Sequence, residues 1–391
     1  SLLLAGGALG DSFGHRRVVL CGLVIFGAAS AGCALAPTAS ALVAARAVQG
    51  IGAALLLPGS VAAIAGAFPG RAEQAKALGT WAAVSAIAVP AGPLLGGFLV
   101  QSYGWRSVFW INPPVVAVCI IGVIFWAKVA DGRRARRLDL GGLVLGTIGL
   151  ASLVYAVIAA SGNGITAIAA GVIGVLALAG FVIVERRVAD PLLPPSVFKV
   201  PAFSVANGSA LVMNLTSAGL VFLLTRYLQQ VHGRTALEAG VMLLPLFVPL
   251  AVLSLFAGRL TARYGARPVM LGAALVGAAG QLGLLLISVN AGYLRLVPAL
   301  IGVGIGVAMF TAPVVATAIR SVPPERSGIA SGVNNTARQA GTALGVAIFG
   351  AVAGNPASAD HFVSAMRDLG IAAAILWLIV AVATAIGIKR A

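Results

Sequence analysis

Two places in this chain put polar groups at helical spacing inside apolar sequence. Asn334, Asn335, Arg338 and Gln339 stand four apart in pairs, 334 to 338 and 335 to 339, so they form one stripe along a helix. Arg46 and Gln49, three positions apart, share a face of another helix. An ionisable group at membrane depth is costly, and its default reading is functional. The stripe must face protein or a water-filled cavity, so it either lines a cavity or gate, or it glues helices together by hydrogen bonds. Arg46 lies about seven residues from the outer end of its run, roughly 10 Å deep at 1.5 Å per residue. It either acts at that depth or snorkels to the outer surface. No phosphate loop, nucleophile triad or metal-ligand spacing occurs in the sequence, and nothing in it points to an enzyme. The three cysteines, Cys21, Cys33 and Cys119, all sit in apolar runs and read as small core residues.

A third feature is a short basic turn, Gly7 to Arg17, containing Gly7, Asp11, Gly14, Arg16 and Arg17. It returns at Gly258 to Arg267. Gly7 and Gly258, Leu9 and Leu260, Gly14 and Gly265, and Arg16 and Arg267 are each 251 residues apart. Ala262 stands where the first copy has Asp11. The repeat extends further: Gly50-Ile-Gly52 matches Gly304-Ile-Gly306 at offset 254, and Gly79, Ala88 and Gly92 match Gly332, Gly341 and Gly345 at offset 253. A turn repeated once per half marks a membrane protein built from two related halves.

The elements that position these groups are apolar runs. The chain has 391 residues, of which 60% are hydrophobic and 9% charged; soluble domains carry about a quarter charged residues. Helices are expected at about 18–36, 39–66, 77–101, 108–128, 139–160, 166–184, 204–228, 237–257, 268–288, 293–319, 328–352 and 369–388. Residues 1–10 read as the tail of one more. The net charge of +16 does not imply nucleic acid. The intervals that share one side of the membrane hold 19 Lys and Arg, against four on the other side. That is the positive-inside pattern, and it puts the 19 in the cytoplasm. A multi-pass location in the cytoplasmic (inner) cell membrane follows, with the lipid bilayer as the chain's main partner and no nucleic acid.

These motifs together resemble the major facilitator superfamily, and within it the fourteen-helix drug:proton antiporter group. Gly7-x-Leu9-x-Asp11-x-x-Gly14-x-Arg16-Arg17 is similar to the family's signature loop between helices 2 and 3. Leu42-x3-Arg46-x2-Gln49-Gly50-x-Gly52 resembles its helix 4 motif. Gly79-x8-Ala88-x3-Gly92-Pro93-x2-Gly96-Gly97 resembles its helix 5 antiporter motif, with Ala88 for a usual glycine. Trp105-Arg106-x2-Phe109-x-Ile111-Asn112-x-Pro114 and Asn334-Asn335-x2-Arg338-Gln339 resemble the fourteen-helix group. The resemblance covers essentially the whole chain.

The resemblance implies an all-α membrane protein with the major facilitator fold: two six-helix halves plus a central inserted helix pair. Residues 1–128 are then the N-terminal half (helices 2–6), 129–203 the helix pair and a cytoplasmic tether (helices 7–8), and 204–391 the C-terminal half (helices 9–14). On the family's plan the signature loop follows two complete helices, and only about ten residues precede it here. The expectation is that helix 1 and half of helix 2 are missing from the sequence, and that helix 1 carries an acid for Arg46. The ten acids of this chain all fall in expected loops or within a turn of a helix end.

The implied activity is proton-coupled export of drugs or small lipophilic metabolites by alternating access, with no cofactor beyond the proton gradient and with the chain working as a monomer. Gly7, Asp11, Gly14, Arg16 and Arg17 would form a conformational latch; the alternative is a loop that only sets orientation. Arg46 and Gln49 would serve proton coupling. Gly79, Gly92, Pro93, Gly96 and Gly97 would form the antiporter packing seam, although small-residue helix packing alone looks much the same. Asn207, Asn214, Tyr227 and Met309, with Asn334, Asn335, Arg338 and Gln339, are the candidates for cavity or gate. The competing readings are an uptake carrier of the same family and a non-transporting membrane fragment or sensor.

Overall fold

The computed structural model describes residues 9–10, 13–67, 71–126, 139–160, 162–188, 195–290, 292–323, 327–356 and 358–388. Among these the regular structure is helical. The helices are α1 His15–Leu35, α2 Ala39–Ala67, α3 Arg71–Tyr103, α4 Ser107–Trp110, α5 Asn112–Trp126, α6 Leu140–Ala159 and α7 Gly164–Arg187. They continue with α8 Pro201–Arg226, α9 Ala236–Met242, α10 Leu244–Tyr264, α11 Ala266–Leu282, α12 Val297–Arg320, α13 Ser327–Ala353 and α14 Ala359–Gly387. Ten helical segments among the described residues are long and apolar enough to cross a membrane. Helix α7 shows why they must. Ile165, Ile168, Val172, Ile173, Val175 and Leu176 are all exposed, a surface that lipid covers favourably and water does not. This is a multi-pass membrane protein.

The expected helices are present, with four adjustments that have physical causes. The run at 108–128 is broken at Ile111, just before the donorless pair Pro113-Pro114. The run at 237–257 is broken at Leu243, where Pro245 restarts the helix in its first turn. The last helix begins at Ala359 rather than 369, because Phe362, Val363, Met366 and Leu369 bury one face while Asp360 and Arg367 lie on the other. The second basic turn is mostly not a turn: residues 258–264 are the last two turns of α10, and the chain reverses at Gly265 alone.

Gly265 and its match Gly14 adopt the same backbone, φ 83° with ψ 163° and φ 92° with ψ 128°, and each is the N-cap of the next helix. Positive φ of this kind is open to glycine at little cost. Gly14 N–H donates to the Gly10 carbonyl, and Gly265 N–H to the Thr261 carbonyl, both at 2.9 Å. Those acceptors are also 251 residues apart. The repeat continues into packing. α1 lies on α2, and α11 on α12. A Cβ on Gly52 would sit 2.7 Å from the Phe26 nitrogen, and one on Gly306 2.6 Å from the Gly277 Cα. Bare glycine lets these backbones approach, which is how helices associate where lipid removes the hydrophobic drive.

The C-terminal half closes by α8 on α13, α10 on α12 and α11 on α14. Helix α3 packs chiefly across the halves, on α9 and α10. The inserted pair, α6 and α7, is a hairpin that touches the rest of the bundle chiefly through α6 against α13. Asp139 caps α6 by accepting the Gly142 N–H at 2.8 Å, satisfying one of the orphan donors of the first turn.

Candidate functional site

A cavity of about 1090 Å³ lies among α8, α10, α12 and α13. Its walls are mostly apolar, including Val221, Phe222, Phe247, Leu250, Val307 and Val315. Pockets for drug-sized ligands run to about 300–1,000 Å³, so this one admits a whole small molecule. The polar lining groups are Asn214, Ser217, Ser254, Thr311 and Arg338. Ser217 Oγ donates to the Met213 carbonyl at 2.7 Å, Thr311 Oγ1 to Val307 at 2.7 Å, and Ser254 Oγ to Ala251 at 3.0 Å. Asn214 Nδ2 donates to Ala210 at 2.8 Å. Each hydroxyl proton is thus spent on its own helix, the usual habit of Ser and Thr in helices.

Arg338 is the one charged group among the described residues that line this cavity. Its Nε is shielded from solvent and has no hydrogen-bond partner. Arg338 stands near the middle of α13, and a charged group taken out of water is costly unless it is paired.

The stripe to which Arg338 belongs does not face one place. Asn334 is buried, and its Nδ2 donates to Asn207 Oδ1 at 3.3 Å, tying α13 to α8. Asn207 in turn donates to the Phe203 carbonyl at 2.8 Å. Both asparagines are therefore in a helix contact and not on the cavity wall. Asn335 is half-buried. Gln339 lines a second pocket of about 600 Å³ with Gly50 and Ala53 of α2 and Leu150 and Tyr155 of α6. Met309 is half-buried and packs on the core around Phe310 and Trp377. Tyr227 is buried; its hydroxyl donates to the Ser288 carbonyl at 2.9 Å. It faces a separate pocket of about 330 Å³ with His232, Arg234, Tyr293 and Arg295. Burial, then the neighbouring Arg234 charge, hold the His232 pKa below its ordinary value.

In the N-terminal half, Arg46 Nη1 donates to Gln49 Oε1 at 2.6 Å, and its guanidinium carbon lies 5.8 Å from the centre of the Phe109 ring. Gln49 is 2% exposed and also accepts from Cys33 Sγ at 3.9 Å. Gln49 is thus the buried anchor and Arg46 the exposed cation it orients. The Trp105–Pro114 motif stitches this half together. Arg106 donates to the Ala36 carbonyl at 3.1 Å, and Asn112 Nδ2 to Ser30 Oγ at 2.9 Å.

The glycines of the antiporter motif divide. A Cβ on Gly97 would lie 2.7 Å from the Ala236 carbonyl oxygen, and one on Gly240 2.6 Å from that of Pro93. α3 and α9 therefore cross backbone to backbone between the halves. Gly92 and Gly96 have nothing within 4 Å on their Cβ side. Gly79 also lies in α3. In the basic turn, Gly7 and Asp11 lie outside the described residues. Arg16 Nη2 donates to the Ile124 carbonyl at 2.8 Å and Arg267 Nη2 to the Ala385 carbonyl at 2.6 Å, near the last turns of α5 and α14. Each arginine thus holds the end of the last helix of its own half, where a cation also meets the negative helix end. Arg17 is exposed.

Sequence reasoning missed the α10 wall of the main cavity and, on α12, named Met309, where Val307, Thr311 and Val315 are the lining residues. Ser217, Ser254 and Thr311, single hydroxyls in apolar runs, were the available signal.

Two helical bundles related by an internal repeat, joined where α3 crosses α9, with an apolar cavity at the level of the spanning helices, define a polytopic membrane protein of the transporter class. The chain belongs to the Major Facilitator Superfamily, whose family model matches residues 1–346. It is similar to the multidrug resistance protein Stp of Mycobacterium tuberculosis, with 34% identity over 357 residues that cover 90% of this chain and 66% of Stp. It is also similar to the puromycin resistance protein pur8 of Streptomyces alboniger, at 40% identity over 372 residues, 92% of this chain and 73% of that protein. The chain thus spans just under two thirds of the length of Stp. A crystal structure of the peptide transporter POT superimposes with a TM-score of 0.69 at 15% identity, covering 97% of this chain and 83% of that one. At that identity the likeness concerns the fold.

Proposed function

We propose that this chain exports drugs or small lipophilic metabolites across the cytoplasmic membrane, driven by the proton gradient and working by alternating access. The observation that carries the reading is the large, mostly apolar cavity between α8, α10, α12 and α13. It occurs in a chain whose relatives are named for resistance to drugs and antibiotics. The halves rock about this cavity, with the α3–α9 glycine crossing as the seam and the Gly14–Arg16 turn as part of the latch. Arg46, held by Gln49, supplies a fixed positive charge for proton coupling. An amphipathic wall with few fixed polar groups suits varied lipophilic ligands.

Inverted membrane vesicles carrying the full chain test this directly. Energisation should drive accumulation of a lipophilic fluorescent drug, a protonophore should collapse it, and cells carrying the chain should tolerate more drug. Arg46→Ala should lower energised accumulation at least about tenfold while the protein remains in the membrane, as expected when a required charge is lost. Accumulation that ignores the protonophore would remove proton coupling, and unchanged accumulation in Arg46→Ala would remove that residue from it.

A further inference from the structure

Resting on the export reading, we propose that the preferred ligand of the main cavity is an amphipathic organic acid whose anionic head sits on Arg338. Three observations converge. Arg338 is the one charged group among the described lining residues, and its shielded Nε has no hydrogen-bond partner. No ion pair joins its guanidinium to a described residue, so five N–H donors in a fixed fork are held in an apolar wall without an anion among the described residues. Such a fork matches a carboxylate or phosphonate in two parallel hydrogen bonds.

The remaining polar groups define the rest of the ligand. The hydroxyl protons of Ser217, Ser254 and Thr311 already go to their own helices. These oxygens, with Oδ1 of Asn214, therefore face the cavity as acceptors. The ligand is thus an apolar body with an acid at one end and N–H or O–H donors toward α8, α10 and α12. The cavity volume of about 1090 Å³ suits an organic molecule rather than a bare inorganic ion.

The test is equilibrium binding to the purified full chain, with no gradient imposed. The probes are 9-anthracenecarboxylic acid, its methyl ester, and 9-(aminomethyl)anthracene, which share one apolar body. The acid should bind the unmodified chain about tenfold or more tighter than the ester, the ordinary worth of a charge-assisted hydrogen bond. The amine should bind weakest. Arg338→Gln should bring the acid-to-ester ratio to about one, and Arg338→Lys should keep part of it, since a point charge remains without the fork. Thermal unfolding in detergent identifies any variant that fails to fold, and the ratio in Arg338→Lys then decides. Equal binding of acid and ester, tighter binding of the amine, or a preference that survives Arg338→Gln overturns the proposal. So does displacement of the acid by chloride or inorganic phosphate as effectively as by excess acid, or the lack of saturable binding by any probe. The two readings fail separately. Loss of acid preference leaves energised export standing, and loss of energised export with the preference intact removes export alone.

Discussion

At the two basic turns the contacts of Gly14 and Arg16 are repeated by Gly265 and Arg267, whereas the glycine-rich helices that follow do not repeat theirs. Gly14 and Gly265 share a left-handed backbone, and Arg16 and Arg267 each hold the carbonyl end of the last helix in their half. Farther along, Ala88 and Gly92 match Gly341 and Gly345 at offset 253. Gly341 lies against the Leu211 carbonyl and Gly345 against the Leu215 carbonyl, so α13 and α8 touch backbone to backbone. Gly92 meets nothing within 4 Å. Duplicated sequence thus transmits conformations set by a few neighbouring residues. It does not transmit which partner a helix face receives.

The comparison breaks most visibly at the glycines. Gly345→Leu should destabilise the detergent-solubilised protein by about 3 kcal/mol or prevent its folding, because the side chain would enter the α8 backbone. Gly92→Leu should leave the melting temperature nearly unchanged. Equal melting of the two variants would mean that α3 and α13 are equally enclosed, and the asymmetry would be wrong.

Next in size are the two turn glycines. Gly14→Ala and Gly265→Ala should each cost about 1–2 kcal/mol, since a Cβ is strained at positive φ. The two losses should be equal within error in chemical denaturation, and a large difference would break the equivalence of the turns.

The arginines give the smallest effect. Arg16→Gln and Arg267→Gln should each lose about 1 kcal/mol, the worth of a cation at a helix end with its hydrogen bond. The loss should shrink as salt is raised. Insensitivity to both substitutions would show that these arginines only set orientation in the membrane.

Much of this was legible in the sequence because it rests on periodicity and local geometry. The apolar runs located the helices, and the 251-residue offset paired Gly14 with Gly265 and Arg16 with Arg267. The candidate site was less legible. Asn334, Asn335, Arg338 and Gln339 lie on one stripe by spacing, yet Asn334 ends in the α8 contact, Arg338 in the main cavity and Gln339 in a pocket against α2 and α6. Helices α6, α8, α12 and α14 all pack on α13, so neighbouring residues of the stripe meet different surroundings. Asn207 shows the same limit, since its partner lies 127 residues away.

The amino-acid sequence by itself determined that this is a membrane protein of two related halves, and where its turns reverse. Those follow from transfer energies and backbone sterics that act on a few consecutive residues. Only the tertiary structure decided which glycines seal a crossing, which asparagines became helix glue, and that Arg338 stands in an apolar wall with no ion-pair partner among the described residues. Each of these depends on what another helix brings to the same point, and spacing along one chain segment carries no record of it.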